Sequence, residues 1–331
     1  MLREAAKGTV RIIESNEGYV FSRFTKAQED YYKGESRALS SAGIRLKFKT
    51  DSKILKISAN VTHASSREFF AFDIYKNGEQ IGALTNIPDE GIEFIEGSVM
   101  PNTLKLPLGD FSGEYELGNG EKTVEIYFPW SVAPVLKNLE IDDNASFSAA
   151  HSKHKMIMFG DSITHGYDAF YPSHSYASLL ADALTADAVN KGIGGEKFCP
   201  GLAELRDDFE PDFITVAYGS NDWNTRKRDD FENKCDRFYA YLSNNYPKAK
   251  IFAITPIWRG DKDQTKACGT LESVAEFIMD ISKKYPNVIG IRGDSFVPED
   301  PKYYSDFRLH PNDDGFKFYA QGLLNEIKKY L

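Results

Sequence analysis

Met156-Ile157-Met158-Phe159-Gly160-Asp161-Ser162-Ile163-Thr164-His165-Gly166 is the stretch that decides the fold. The apolar run Met156 to Phe159 reads as a short buried strand. Gly160 breaks it, and a serine follows two residues later in a polar turn. A parallel sheet presents a reactive side chain in this way, at the carboxyl end of its first strand.

Downstream, the pattern alternates strand and helix. Pro172-Ser173 opens a helix with Tyr176, Leu179, Leu180, Ala183 and Leu184 on one face. Asp187 to Asn190 is a strand, and Lys191-Gly192-Ile193-Gly194-Gly195 a glycine-rich turn. Phe213 to Tyr218 is a buried strand that leads into Gly219-Ser220-Asn221-Asp222. Phe231 to Tyr246 is helical, Ile251 to Thr255 a strand, Leu271 to Tyr285 a helix and Val288 to Ile291 the last strand. A long loop carries Asp306 and His310, and a final helix buries Phe316, Tyr319, Ala320, Leu323, Leu324 and Ile327. The expectation is an α/β fold over residues 155–331, a three-layer α/β/α sandwich around a five-stranded parallel sheet.

Upstream, residues 1–145 read as short alternating strands. Candidates are Val10 to Glu14, Tyr19 to Phe24, Ile44 to Phe48, Ile54 to Val61, Phe69 to Tyr75, Gln80 to Leu84, Thr103 to Pro107, Thr123 to Phe128 and Leu136 to Ile141. Asn77-Gly78 is a hairpin turn signal. No convincing amphipathic helix lies among them, so an N-terminal antiparallel, jelly-roll-like β-sandwich is expected. Its aromatics Phe69, Phe70, Phe72, Tyr127 and Trp130 are core candidates. The polar stretch 146–154 reads as a linker.

The bulk numbers narrow the function. The chain has 331 residues, more than one ordinary core supports. A net charge of -9 with no basic block argues against nucleic acid or an anionic membrane as partner. Three cysteines without ligand spacing suggest neither a disulfide framework nor a metal site, and no cofactor is expected. No apolar run reaches the ~20 residues of a membrane span. The N-terminus lacks an apolar leader segment, so a cytoplasmic location is expected unless a leader has been trimmed.

The chemistry sits on loops at strand ends. Ser162 is the nucleophile candidate, and a neutral serine needs a base within hydrogen-bond reach. His310 lies just before the last helix and suits that role. Asp306 is placed to orient its imidazole. The backbone of the Ser162 turn, Gly195 and Asn221 are candidate donors to an oxyanion. Asp161 and Asp222 read as loop-holding carboxylates, and Asp313 and Asp314 as the cap of the final helix. His165 and His174 stand near the expected site, more plausibly as structural residues than as catalysts.

These residues resemble the SGNH (GDSL-type) hydrolases. Gly160-Asp161-Ser162-Ile163-Thr164 is similar to the first block of that family, Asn190 to Gly195 to the second, Gly219-Ser220-Asn221-Asp222 to the third and His310-Pro311-Asn312 to the last. All four occur in family order. The resemblance implies a flavodoxin-like sheet, Ser162 as nucleophile, His310 as base, and Ser162, Gly195 and Asn221 as oxyanion donors, with Gly192 and Gly194 as lesser candidates. One position departs. The family places its acid three residues before the histidine, where this chain has Phe307. Either Asp306, four before, reaches the ring, or a backbone carbonyl orients it.

A β-sandwich ahead of such a domain is similar to carbohydrate esterase family two. That resemblance implies a serine esterase acting on small acyl esters, acetyl groups on oligosaccharides first among them. A general short-chain acylhydrolase, thioesterase or lipase-like esterase is the alternative within the class. A non-catalytic sugar-binding protein is the alternative outside it. Trp223, Trp258 and Tyr304, near the expected site, are candidates for substrate contact.

Overall fold

The structure, a computed structural model of the chain, describes residues 2–92 and 106–331. In chain order its strands are β1 (Ala6–Lys7), β2 (Arg11–Ser15), β3 (Gly18–Ser22), β4 (Arg45–Thr50), β5 (Ile54–His63), β6 (Ala71–Lys76), β7 (Glu79–Thr85), β8 (Gly109–Glu116), β9 (Lys122–Tyr127), β10 (Val132–Ile141), β11 (Ser148–Ala149), β12 (His154–Gly160), β13 (Ala186–Asn190), β14 (Phe213–Ala217), β15 (Lys250–Ile254) and β16 (Val288–Ile291).

The first part is an antiparallel sandwich. One sheet runs β1-β4-β9-β6-β7 with β11 beside β4, and the other runs β2-β3-β10-β5-β8. Alternate residues of the strands point inward. Leu46 and Phe48 from one sheet thus meet Leu55, Ile57, Ala59 and Val61 from the other in a shared core with Phe72, Ile126 and Phe128. The Asn77-Gly78 hairpin is present, with Asn77 at φ 51 and Gly78 at φ 86. Phe69, Phe70, Phe72, Tyr127 and Trp130 are all buried.

Three features differ from the sequence reading. A helix, Lys26–Tyr31, stands in the β-rich part, closed by a capping box between Thr25 and Gln28. Strand β8 covers Gly109-Asp110-Phe111-Ser112-Gly113-Glu114-Tyr115-Glu116, whose alternation is of half-buried against exposed residues. The expected linker contributes β11 to the sandwich and supplies the first residue of β12. The expected strand at Thr103 to Pro107 lies largely outside the described residues.

The second part is a parallel sheet in the order β13-β12-β14-β15-β16. The three central strands, β12, β14 and β15, divide their side chains between two cores. Ile157, Phe159, Ile214, Val216, Ile251 and Ala253 enter one, with Phe231, Phe238, Leu242 and Val274 from the helices Arg228–Asn245 and Leu271–Ser282. Met156, Met158, Phe213, Phe252 and Ile254 enter the other, with Tyr176, Leu180, Phe316 and Leu323 from Tyr176–Ala183 and Asp313–Ile327. Both faces are covered, as a parallel sheet requires. The register pairs Met158 with Asn190 and Gly160 with Ala217. The loops that leave these three strands therefore start side by side.

The two parts are joined by buried polar contacts. Arg45 pairs with Asp182, and Tyr127 Oη donates to Asp182 Oδ2 at 2.6 Å. The Gly8 N–H donates to Asp187 Oδ1 at 2.7 Å, and Trp130 Nε1 to the Ala169 carbonyl at 3.0 Å. A small apolar cluster of Ala42, Phe69, Trp130 and Tyr167 spans the junction.

Candidate active site

Strand β12 delivers Ser162. A side chain at Gly160 would collide with the Thr164 hydroxyl, so glycine is what lets the chain fold back into the helix Ser162–His165. Asp161 caps that helix, its Oδ1 accepting from the Ile163 N–H at 3.0 Å. Burial pushes the Asp161 carboxyl up to about 6, against the pull of that amide and of His310. Ser162, as the first helical residue, has an N–H with no acceptor inside the helix.

His310 meets this turn from the loop before the final helix. Its Nε2 lies 2.9 Å from Ser162 Oγ, and its Nδ1 lies 3.0 Å from Asp306 Oδ2. The four-residue spacing is accommodated by the loop. Asp306 Oδ1 accepts from the amides of Arg308, Leu309 and His310 at 3.0, 2.7 and 3.0 Å, so the chain wraps around its own carboxylate. Phe307 takes up the turn in the left-handed region, at φ 56. The loop is closed by Ser305 N–H to the His310 carbonyl at 2.8 Å and Asn312 N–H to the Tyr303 carbonyl at 2.9 Å. Burial opposes charge on Asp306, but the His310 hydrogen bond, its charge and the amides outweigh it and hold the carboxyl well below the usual range.

A second carboxylate reaches the same ring nitrogen. Asp168 Oδ2 is 3.5 Å from His310 Nδ1. Asp168 has a left-handed backbone, φ 69, and a bidentate pair with Arg67 at 2.8 and 3.1 Å. Both side chains are buried, Asp168 completely. Arg67 belongs to the β-sandwich part and also lies over the Tyr167 ring, which stacks on His310. Burial lowers the His310 pKa, but Asp306 and Asp168 together raise it above its ordinary value. Neither Asp168 nor Arg67 was anticipated from the sequence; the pair is 101 residues apart and belongs to no motif.

The glycine turn is held from several sides. Asn190 Nδ2 donates to the Thr164 carbonyl at 2.6 Å and its Oδ1 accepts from Gly192 N–H at 2.8 Å. The Lys191 and Ile193 amides bond the carbonyls of Met158 and Gly160, and Gly194 N–H bonds His165 Nδ1 at 3.2 Å. Of the amides from Lys191 to Glu196, that of Gly195 alone has no acceptor among the described residues. Gly195 sits at φ 78 and is exposed. Asn221, in the short helix Ser220–Thr225, donates its Nδ2 to the Glu196 carbonyl at 3.1 Å and to Asp161 Oδ2 at 3.3 Å. Ser162 N–H, Gly195 N–H and Asn221 Nδ2 therefore stand on adjoining loops at one sheet edge. A serine joined to an imidazole, an imidazole joined to a carboxylate, and donors nearby form a set that can perform acyl transfer through a tetrahedral intermediate.

His165 is a structural residue. It is buried, its Nε2 faces the Trp130 carbonyl and Ser40 Oγ at 2.8 Å, and burial with Arg23 nearby pushes its pKa well down. His174 pairs with Asp313 Oδ2 at 2.6 Å. The cap of the final helix is Asn312, which accepts from Gly315 N–H at 3.0 Å; Asp313 and Asp314 occupy its first turn instead.

The three aromatics expected to face substrate are packed inward. Trp223 is fully buried, donates to the Gly269 carbonyl at 2.9 Å and has Arg259 and Lys266 against its ring. Trp258 and Tyr304 pack on each other at 4.8 Å and are 9% and 1% exposed, which leaves no open ring face for a sugar. Among the described residues no group of three or more His, Cys, Asp or Glu is arranged to hold a metal ion, and no helix is long and apolar enough to cross a membrane.

Residues 158–318 match the model of the GDSL-like lipase/acylhydrolase family. A search of curated proteins returns no match. Among solved structures, a salicylyl-acyltransferase, SsfX3, from a tetracycline biosynthetic pathway superimposes with a TM-score of 0.78 at 20% identity, over 98% of this chain and 94% of that one. A family two carbohydrate esterase from Clostridium thermocellum, in complex with cellohexaose, gives 0.67 at 15% identity over 98% of both chains. An acetyl xylan esterase, Est2A, from Butyrivibrio proteoclasticus gives 0.63 at 17% identity, over 99% of this chain and 96% of that one. The likeness therefore extends across the sandwich as well as the parallel sheet. With the four sequence blocks gathered at one sheet edge and the family model spanning them, residues 158–318 form a GDSL-like lipase/acylhydrolase domain, and the chain is a carboxylic ester hydrolase.

Proposed function

We propose that this hydrolase removes small acyl groups, acetyl first among them, from O-acylated sugars, with Ser162 as nucleophile and His310 as base. The observation that carries the reading is the continuous chain from Ser162 Oγ through His310 to Asp306 at 2.9 and 3.0 Å. In the first step His310 Nε2 takes the Ser162 proton while Oγ attacks the acyl carbon. Ser162 N–H, Gly195 N–H and Asn221 Nδ2 donate to the oxyanion. The sugar alcohol leaves with the proton from His310. Water, deprotonated by His310, then releases the acid and restores the serine. Asp306 holds the tautomer that leaves Nε2 free to accept, with Asp168 as a second carboxylate on the same side of the ring.

The acetyl and sugar assignment is supported by the similarity of the whole two-part architecture to proteins described as family two carbohydrate esterases and as an acetyl xylan esterase. Two measurements test it. Ser162→Ala is expected to abolish hydrolysis of p-nitrophenyl acetate; retained activity would remove Ser162 from the mechanism. Mass spectrometry of acetylated xylo-, manno- and gluco-oligosaccharides after incubation should show loss of acetyl groups. Faster turnover of longer-chain esters or thioesters, with the acetylated sugars untouched, would favour a general acylhydrolase. Transfer of the acyl group to an alcohol in preference to water would favour an acyltransferase, the activity named for one structural neighbour.

A further inference from the structure

A cavity of about 450 Å³ opens beside the Gly195 turn. It is within the size range of small-molecule sites. Gly195, whose amide has no acceptor among the described residues, lies on its wall, and so does Glu196, whose carbonyl accepts from Asn221 Nδ2. The cavity thus adjoins the Gly195 amide assigned to the oxyanion. Its charge is one-sided: Lys197, Arg226, Lys234 and Arg237 line it against the single carboxylate of Glu196.

Two of these cations are already engaged. Arg226 pairs with Asp222 and with Asp230, the latter at 3.1 Å, and Lys234 lies 3.9 Å from Asp230. Lys197 and Arg237 form no salt bridge among the described residues; the Arg237 guanidinium lies 5.9 Å from the Tyr241 ring centroid. Tyr31, from the helix Lys26–Tyr31 of the sandwich part, also lines the pocket and offers a neutral hydroxyl. A chain with a net charge of -9 has no general excess of positive side chains to scatter here. Cations gathered around a concave site raise the local concentration of anionic ligands and speed their capture.

We infer that this pocket binds an anionic group, a carboxylate or a phosphate, carried by the ester substrate. The proposal rests on the sugar esterase reading and narrows it to acylated sugars that bear a negative charge. Lys197 and Arg237 are the contacts, with Tyr31 as a neutral donor.

The test compares kcat/KM for three monoacetylated methyl glucosides: the neutral sugar, its glucuronate and its 6-phosphate. The expected result is a preference of about tenfold or more for an anionic ester, the size expected of one or two charge-assisted contacts. The preference shrinks at high salt. Which of the two anions gives the larger ratio identifies the group. Arg237→Glu, and independently Lys197→Glu, bring the ratio to about 1. Lys283→Glu, on an exposed helix end elsewhere, leaves it unchanged. Equal rates on charged and neutral esters, or a ratio unmoved by both reversals, would overturn the proposal. In parallel, glucuronate and glucose 6-phosphate are titrated into Ser162→Ala protein and followed by NMR, with glucose as control. Saturable shifts abolished by Arg237→Glu support the pocket even if none of the three esters is cleaved, in which case the esterase reading fails alone. Identical behaviour of all three sugars overturns the pocket.

Discussion

Asp168 Oδ2 stands 3.5 Å from His310 Nδ1, the nitrogen that also meets Asp306. The proposed base is thus flanked by two carboxylates, one from its own loop and one anchored by Arg67 from the β-sandwich. Together they lift the His310 pKa above the ordinary ~6.5, against the burial that lowers it. A general base works only when neutral, so the rate falls as pH drops through that raised value. The acid limb of kcat/KM is expected above about pH 6.5 in the native protein and at lower pH in Asp168→Asn/Arg67→Met. Both are changed together because Asp168→Asn alone strands a buried guanidinium, at a cost of about 3–5 kcal/mol. A pH–rate profile on p-nitrophenyl acetate checks this, and an unmoved limb would exclude Asp168 from the environment of the base. Stability runs the other way. The His310 contribution is complete below its unfolded pKa and is lost as pH rises through the higher folded value.

Asp306 does two jobs with two oxygens. Oδ2 faces the imidazole, and Oδ1 collects three loop amides. Asp306→Asn keeps an acceptor for the amides but turns an NH₂ toward His310 Nδ1, which favours the tautomer with its proton on Nε2 and removes the base. The expected loss in kcat is about 10²- to 10⁴-fold with little change in Tm. Asp306→Ala is expected to lose both rate and Tm, since the amides are left without their acceptor. The carboxyl is held well below the usual range, so its stabilisation is present above the unfolded pKa of ~3.9 and disappears as pH falls through the folded value. Kinetics and thermal unfolding of both variants decide the matter. An Asp306→Asn protein with native kcat would transfer the orienting role to Asp168.

Phe307 is a bulky residue at φ 56 and is 36% exposed. A left-handed conformation costs a side-chain-bearing residue about 1–2 kcal/mol, a cost that glycine escapes. Truncation to alanine loses the ring contacts and keeps the strain; truncation to glycine loses the same contacts and relieves it. Phe307→Gly should therefore unfold at a higher temperature than Phe307→Ala. The reverse order would mean that the loop is not strained at this position.

What could be read from the sequence follows from what is local. The candidates Ser162, Gly195, Asn221 and His310 could be picked out because each follows a strand or precedes a helix whose own pattern is clear. Both layers of the parallel sheet follow from strand runs such as Ile214 to Val216. Asp168 and Arg67 did not show, since a buried pair between two parts of the chain has no periodicity and no spacing. Strand β8 escaped because two glycines and two glutamates dilute its alternation. Trp223 looked like a platform beside Asn221, but Arg259 and Lys266, brought in from a later loop, lie against its ring. The spacing of Asp306 could not be judged without knowing that Phe307 adopts a left-handed backbone.

Arg23 offers the sharpest test of how far the sandwich supports the site. It is fully buried and donates to the carbonyls of Asn190 at 2.7 Å, Gly192 at 2.9 Å, Ser40 at 2.9 Å and Arg37 at 3.0 Å. Burial lowers its pKa to about 9, so it remains charged at neutral pH. Its acceptors include Gly192 in the glycine turn and Asn190 at the end of β13 that leads into it, and Arg37 donates to a second carbonyl of the turn, that of Gly194. Arg23→Met leaves buried carbonyls without a donor, each worth about 1–3 kcal/mol, and a large loss of Tm is expected. Arg23→Lys keeps the charge but replaces a planar fork by a point donor that cannot serve carbonyls on both sides. Its Tm should fall between the two, and its kcat on p-nitrophenyl acetate should fall more than its KM rises, because the Gly195 amide, the proposed oxyanion donor, is displaced from where charge would develop in the transition state. A folded Arg23→Lys enzyme with native kcat would show that the sandwich holds the turn in place without setting the position of its proposed oxyanion donor.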